Sequence, residues 1–168
     1  MRVLAIDPGN QDSAYVIWDG ERLHGFGKVP NATLRQMLRD WVQLVDQTRM
    51  RVVAIEMIAS YGMAVGKEVF ETCVAIGRFV EICEQSGITP QIVYRQEEKL
   101  HHCRSVKAND ATIRRALMDR FGDKGTKRNP GFFYGFVDDV WAAFGIAALV
   151  VDRANGLQAA PISKANIN

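Results

Sequence analysis

Two acidic residues sit where a folding chain normally avoids charge, and two more precede its most apolar stretch. Asp7 closes the apolar run VLAI at the start of MRVLAIDPGNQDSAYVIWDG, Glu56 closes RVVAIE, and Asp138-Asp139 precede the long apolar stretch VWAAFGIAALVV. A carboxylate at the end of a buried strand is costly to desolvate unless something offsets its charge. Taken singly, Asp7 or Glu56 reads as a turn residue or a helix cap, and Asp138 and Asp139 favour the positive end of the helix they precede. Their combination reads differently. If the two strands are parallel neighbours, their carboxyl ends lie side by side, and a helix crossing that edge delivers a third acid. Clustered carboxylates repel, and one protonates unless a divalent cation intervenes. Mg2+ prefers hard oxygen ligands and keeps several waters of its own. Two such ions roughly 3.5–4 Å apart can activate a water and stabilise the leaving oxygen of a phosphodiester.

The elements that must carry these acids follow from periodicity. Residues 3–6, 13–18 and 21–29 read as strands, with Asp19-Gly20 as a hairpin turn, and form an antiparallel meander. Asn31 is placed to cap a helix whose apolar positions are Leu34, Met37, Leu38, Trp41, Val42 and Val45. Residues 51–56 repeat the opening pattern. A long helix over 66–85 carries Val69, Phe70, Cys73, Ile76, Phe79, Val80 and Cys83 as one stripe, and Gly87 stops it. Residues 90–94 form the last strand. Asn109 caps a helix over 111–121, a Gly-, Lys- and Asn-rich loop spans 122–135, and a final helix runs over 137–153. This order builds one α/β unit over 1–155, a mixed sheet with helices on both faces, followed by a polar tail over 156–168.

Composition limits the partners. The chain has 168 residues, 48% hydrophobic and 24% charged, with no apolar run of the ~18 residues a membrane span needs. No signal-peptide pattern opens it. Cys73, Cys83 and Cys103 are odd in number and contain no CxxC pair, which suits a reduced, intracellular protein without a zinc ribbon. His101-His102-Cys103 are adjacent, and adjacent residues rarely converge on one ion. The net charge is only +2, but residues 95–128 hold ten Lys or Arg against five acids. Such an excess fits a phosphate-facing surface or, equally, a solvated helix face. Its candidate phosphate contacts are Lys107, Arg114, Arg115, Lys124, Lys127 and Arg128.

The segments AIDPGNQDSAYVIWDG, AIEMIASYG and DDVWAAFGIAALV resemble the three acidic motifs of the RuvC-type Holliday junction resolvases, members of the RNase H-like superfamily. KANDATIRRALMDRFG and KGTKRNPGFFYG are more similar to the phage-encoded branch. The resemblance spans residues 1–153. It implies an RNase H-like mixed five-stranded sheet and a metal-dependent DNA endonuclease that resolves four-way junctions by paired symmetric nicks. By the same resemblance Asp7, Glu56 and Asp139 are metal ligands with Asp138 a fourth candidate. Two Mg2+ ions occupy each site, Mn2+ can substitute, and the working form is a homodimer in the cytoplasm of a bacterial or phage-infected cell. Part of the 66–85 helix could form the dimer seam. Tyr61, beside Glu56, falls near the junction centre, where it could stack on an unpaired base.

One position departs from the family pattern. The family places two acidic or His/Asp residues three apart on the last helix, and here Ala142 follows Asp139 at that spacing. Asp138 substitutes, or the second metal site is weak, or the position is inactivating. Three competing functions follow: a nuclease for branched DNA in general or for RNA–DNA hybrids, a junction-binding protein impaired in cutting, and a sugar-kinase-like ATPase. The last requires two such domains, which 168 residues cannot supply.

Overall fold

Strand alternation decides what each face of the sheet receives. The computed structural model describes residues 1–43, 50–60, 62 and 64–157. Its five strands are β1 (Arg2–Asp7), β2 (Asp12–Trp18), β3 (Leu23–Pro30), β4 (Arg51–Met57) and β5 (Gln91–Tyr94), in the spatial order β3-β2-β1-β4-β5. The first three form the expected antiparallel meander, and β4 and β5 extend it in parallel. Successive side chains of a strand point to opposite faces. Val3, Ala5, Val16, Trp18, Val52 and Ala54 therefore enter one core, and Leu4, Ile6, Val53 and Ile55 enter the other. The central pair β1 and β4 is buried on both sides, which is why both read as continuous apolar runs.

Helices α1 (Asn31–Gln43) and α2 (Lys67–Gln85) cover one face through Leu34, Leu38, Trp41, Ile76 and Phe79. The opposite face is covered by α5 (Val140–Ala154), with α3 (Arg95–Cys103) and α4 (Asp110–Phe121) packed against it. Helix α5 is apolar around most of its circumference because sheet and helices enclose it, and it is buried from Val140 to Asp152 apart from Ala142. It starts just after Asp139, and its far end brings Val151 close to Gly20. Trp18, Phe121, Phe132 and Phe144 meet edge-on and stacked beneath it, with ring centroids 5.1–5.9 Å apart.

The structure corrects several expectations. An additional helix, α3, follows β5 without a break; the Glu97 side chain accepts from Tyr94 N–H at 2.9 Å at its start. The apolar stripe of α2 divides. Ile76, Phe79, Ile82 and Cys83 are buried, whereas Phe70 and Val74 are 61% and 54% exposed and Cys73 is exposed too. Gly87 does stop α2, at φ 73°, through a Schellman pair of Gly87 N–H to Glu84 O and Ile88 N–H to Cys83 O. Asn31 is not a cap, because its side chain is spent on the loop after β1, whereas Asn109 caps α4 by accepting from Thr112 N–H at 2.9 Å. Helix α5 begins at Val140, so residues 137–139 lie in the turn before it. Val45, Tyr61 and most of the expected tail lie outside the described residues. Among the described residues no helix is long and apolar enough to cross a membrane.

Candidate active site

One row across the sheet carries the candidate site. Strand pairing sets Asp7 opposite Ala14, and Ala14 opposite Lys28. The parallel ladder reaches Ile6 opposite Ile55, which brings Glu56 in beside Asp7. Asp7 follows Val3 and Ala5 in alternation, and Glu56 follows Val52 and Ala54, so both carboxyls emerge on the face that α5 covers. Lys28 shares that face with Phe26. Its Nζ donates to Asp139 Oδ2 at 2.6 Å, with only the Ala14 methyl beneath them in the row.

The loop after Asp7 is locked in place. Gly9 N–H donates to Ser13 Oγ at 3.1 Å, Ser13 Oγ donates to Asn31 Oδ1 at 2.5 Å, and Asn31 Nδ2 donates to Gly9 O at 2.9 Å. A Cβ on Gly9 would stand 2.3 Å from the Asp12 carbonyl oxygen, so the turn closes only on glycine. Beyond the row, Asp138 adopts φ 31°, a left-handed conformation that a non-glycine residue holds at some cost. Lys124, at the other end of that loop, donates to Phe136 O at 2.8 Å and ties the approach to Asp138.

A cleft of about 440 Å3 opens beside this row and is lined by all four acids expected from the sequence, Asp7, Glu56, Asp138 and Asp139. Asp7 and Glu56 hydrogen-bond to each other. Burial pushes both carboxyls above the usual range, and the Glu56 charge adds to this for Asp7. Two buried like charges this close disfavour each other, so neutralising one of them relieves the pair. Arg95 works in the opposite direction on Glu56. Among the described residues no three His, Cys, Asp or Glu side chains are already gathered as a ligand set, and Asp139 is turned to Lys28. The donor chemistry nevertheless fits a hard divalent cation: the carboxylates are all oxygen donors, and their mutual repulsion is what such an ion relieves.

The expected basic contacts separate into groups. Arg114 lines the cleft, with its guanidinium 5.1 Å above the Trp141 ring. Arg115 pairs instead with Asp119 at 3.1 Å on the surface of α4, and Lys124 serves the loop. Lys107, Lys127 and Arg128 are exposed. His101 and His102 serve packing. His101 Nε2 lies 2.6 Å from Asp152 Oδ2, and His102 Nε2 lies 2.9 Å from Gly145 O.

Three charged cleft residues were not foreseen, Arg95, Glu98 and Asp110, and neither was Lys28, the ion-pair partner of Asp139. Arg95 and Glu98 come from the unforeseen α3, and Arg95 directly follows the end of β5. The rule that singles out Asp7 and Glu56 does not reach Arg95, because β5 is a short edge strand with only Val93 buried. Lys28 carried no local signal, because only the cross-strand register puts it in the row.

The sheet order, with one antiparallel hairpin flanking parallel strands and helices on both faces, defines an RNase H-like fold of the RuvC form. The Thermus thermophilus RuvC structure superposes with a TM-score of 0.64 over 95% of this chain and 99% of that one, at 17% identity. T. thermophilus RuvC in complex with Holliday junction substrate gives 0.68 over 95% and 98%, at 15% identity. Sequence comparison adds nothing to this: no protein-family model and no curated protein matches the chain.

Proposed function

We propose that this chain is a metal-dependent endonuclease that cuts branched DNA, with the four-way junction as its substrate and a symmetric dimer as its working form. The observation that carries this reading is the placement of Asp7 and Glu56 side by side at the ends of the parallel strands β1 and β4 of a RuvC-like sheet, in one cleft with Asp138 and Asp139. Asp7, Glu56 and Asp139, assisted by Asp138, would hold Mg2+, with Mn2+ able to replace it. When bound, the ion withdraws charge from a phosphodiester and eases the formation of hydroxide beside it.

The protein's own groups do the rest. The locked loop after Asp7 fixes where its carboxyl stands, so little reorganisation is needed when substrate arrives. Lys28 orients Asp139. Arg114, steadied by Trp141, contacts the backbone next to the cleft, and Lys107, Lys127 and Arg128 extend the contact outward with no base preference. Tyr61 is assigned to stack on an unpaired base. Two symmetric nicks require two sites related by a twofold axis, and the exposed Phe70 and Val74 of α2 are the apolar surface assigned to the second copy.

The test is to incubate the protein with labelled four-way junction, Y-fork and linear duplex in Mg2+, Mn2+ or EDTA. Paired symmetric nicks confined to the junction support the reading. Cutting of every branched form would reduce it to a general structure-specific nuclease. Tight junction binding without cutting in either metal would replace it with a binding protein, the reading that Ala142 favours.

A further inference from the structure

The face that α5 turns to the cleft is unusual for what it omits. One turn after Asp139 comes Ala142, which lines the cleft with a methyl group. Another turn on comes Gly145, where an added Cβ would stand 2.0 Å from Glu98 Oε1 and 2.9 Å from its carboxyl carbon. Helix α5 is thus stripped of carboxylate and then of bulk along one stripe, and α3 occupies the space. Glu98 is fully buried there. Its Oε2 accepts from Arg95 Nη1, and its Oε1 has no hydrogen-bond partner. Arg95 Nη2 donates in turn to Asp110 Oδ1 across the mouth of α4.

A carboxyl buried completely with one oxygen unpartnered is expensive, and burial pushes its pKa up to about 8 against the pull of Arg95, which calls for an explanation. Here its effect is to fix a guanidinium inside the carboxylate cleft. Burial opposes the charge on Arg95, yet Glu98, Glu56 and Asp110 together hold it firmly protonated. Its field reaches both Asp7 and Glu56. A permanent cation at that place repels a second divalent ion, and the carboxylate that would have held such an ion from α5 is absent at Ala142.

We infer that Arg95 replaces a second metal ion: each site holds one divalent cation, and the guanidinium anchored by Glu98 supplies the other positive charge to the reacting phosphodiester. The inference rests on the nuclease reading. In the hydrolysis, the water oxygen bonds to phosphorus while the bond to one deoxyribose oxygen breaks with its electron pair. One water proton ends on that oxygen, and the other stays on the new phosphate monoester or passes to solvent. Negative charge grows on the phosphoryl and leaving oxygens, and a fixed guanidinium meets it without reorganising.

The experiment counts ions. The full chain bound to uncut junction is titrated with Ca2+ by calorimetry, and with Mn2+ by electron paramagnetic resonance. One ion per protomer is expected, rising to two in Ala142→Asp; two in the unaltered chain would overturn the inference. The paired variant R95Q/E98Q removes both buried charges together and so spares the fold. It should keep its single ion and its junction affinity while cutting falls about a hundredfold, with partial recovery in Arg95→Lys. Undiminished cutting by the paired variant would also overturn the inference. Absence of any bound ion, with no cutting, refutes the nuclease reading itself, whereas cutting with two ions refutes only the role of Arg95.

Discussion

At the far end of α5, Asp152 is buried against Arg120, which donates to both its oxygens, and against His101 at 2.6 Å. At the near end, Asp139 faces Asp7 and Glu56 across the cleft. Both clusters place acids in a protein interior, but their charge is balanced differently. Burial alone would raise the Asp152 pKa, yet hydrogen bonds from Arg120 and His101 overcome it and hold the carboxyl at about 2. In the cleft, burial and repulsion act together and push Asp7 and Glu56 up. The far cluster is complete as folded. The near cluster retains an excess of negative charge that a cation can relieve, and this imbalance supports the proposal that chemistry takes place there.

Breaking the near cluster should have the largest effect. Asp7→Asn is expected to lower junction cutting about a thousandfold or more with no loss of thermal stability, since a neutral amide avoids the repulsion with Glu56 that an ionised Asp7 would suffer; a parallel fall in melting temperature would refute this contrast. The far cluster should behave in the reverse way. Asp152→Asn leaves Arg120 and His101 without their partner and should cost about 3 kcal/mol of stability by urea titration. The residual folded protein should still bind Ca2+, because the mutation lies at the other end of the helix.

Acid should attack the far end first, through groups whose folded pKa is depressed. His102 is pushed by burial from 6.5 to about 4. The unfolded chain takes up its proton first, so this stability is complete above pH 6.5 and is lost as pH falls toward 4. Asp152 adds a second loss as pH falls from 3.8 through about 2. A decline on the order of 2 kcal/mol between pH 6.5 and 4 is expected, and His102→Gln should flatten it. The smallest effects belong to the surface. Lys127→Ala or Arg128→Ala should reduce the salt dependence of junction binding by about one unit of slope each and leave stability within ~0.5 kcal/mol.

Much of this contrast was legible before the structure. Asp7 and Glu56 stood out because a charge ending an apolar run is a local anomaly, and the parallel pairing of β1 and β4 made them neighbours as expected. The α2 stripe misled because periodicity reports which residues share a helix face and not whether another layer covers it. Phe70 and Cys73 belong to the same stripe as Phe79 but face outward. Helix α3 escaped notice because its sequence, RQEEKLHHC, is mostly polar and its one fully buried residue is a glutamate. Glu98 is invisible to any rule that equates burial with hydrophobicity. Arg115 and Lys124 looked like Arg114 by charge alone, and only their partners separate them: Asp119, the Phe136 carbonyl and the cleft.

By itself the sequence determined the strand alternation, the faces on which Asp7 and Glu56 emerge, the turn that only Gly9 closes and the end of α2 at Gly87. These are consequences of backbone sterics and of the two-residue repeat, which act over a few neighbours. The tertiary structure alone decided that Lys28 meets Asp139 from 111 residues away, that Glu98 fits against Gly145, and that Arg95 stands among the carboxylates. Those choices depend on the register between strands and the close approach of two helices, where Coulomb and packing energies act between groups that the chain itself keeps far apart.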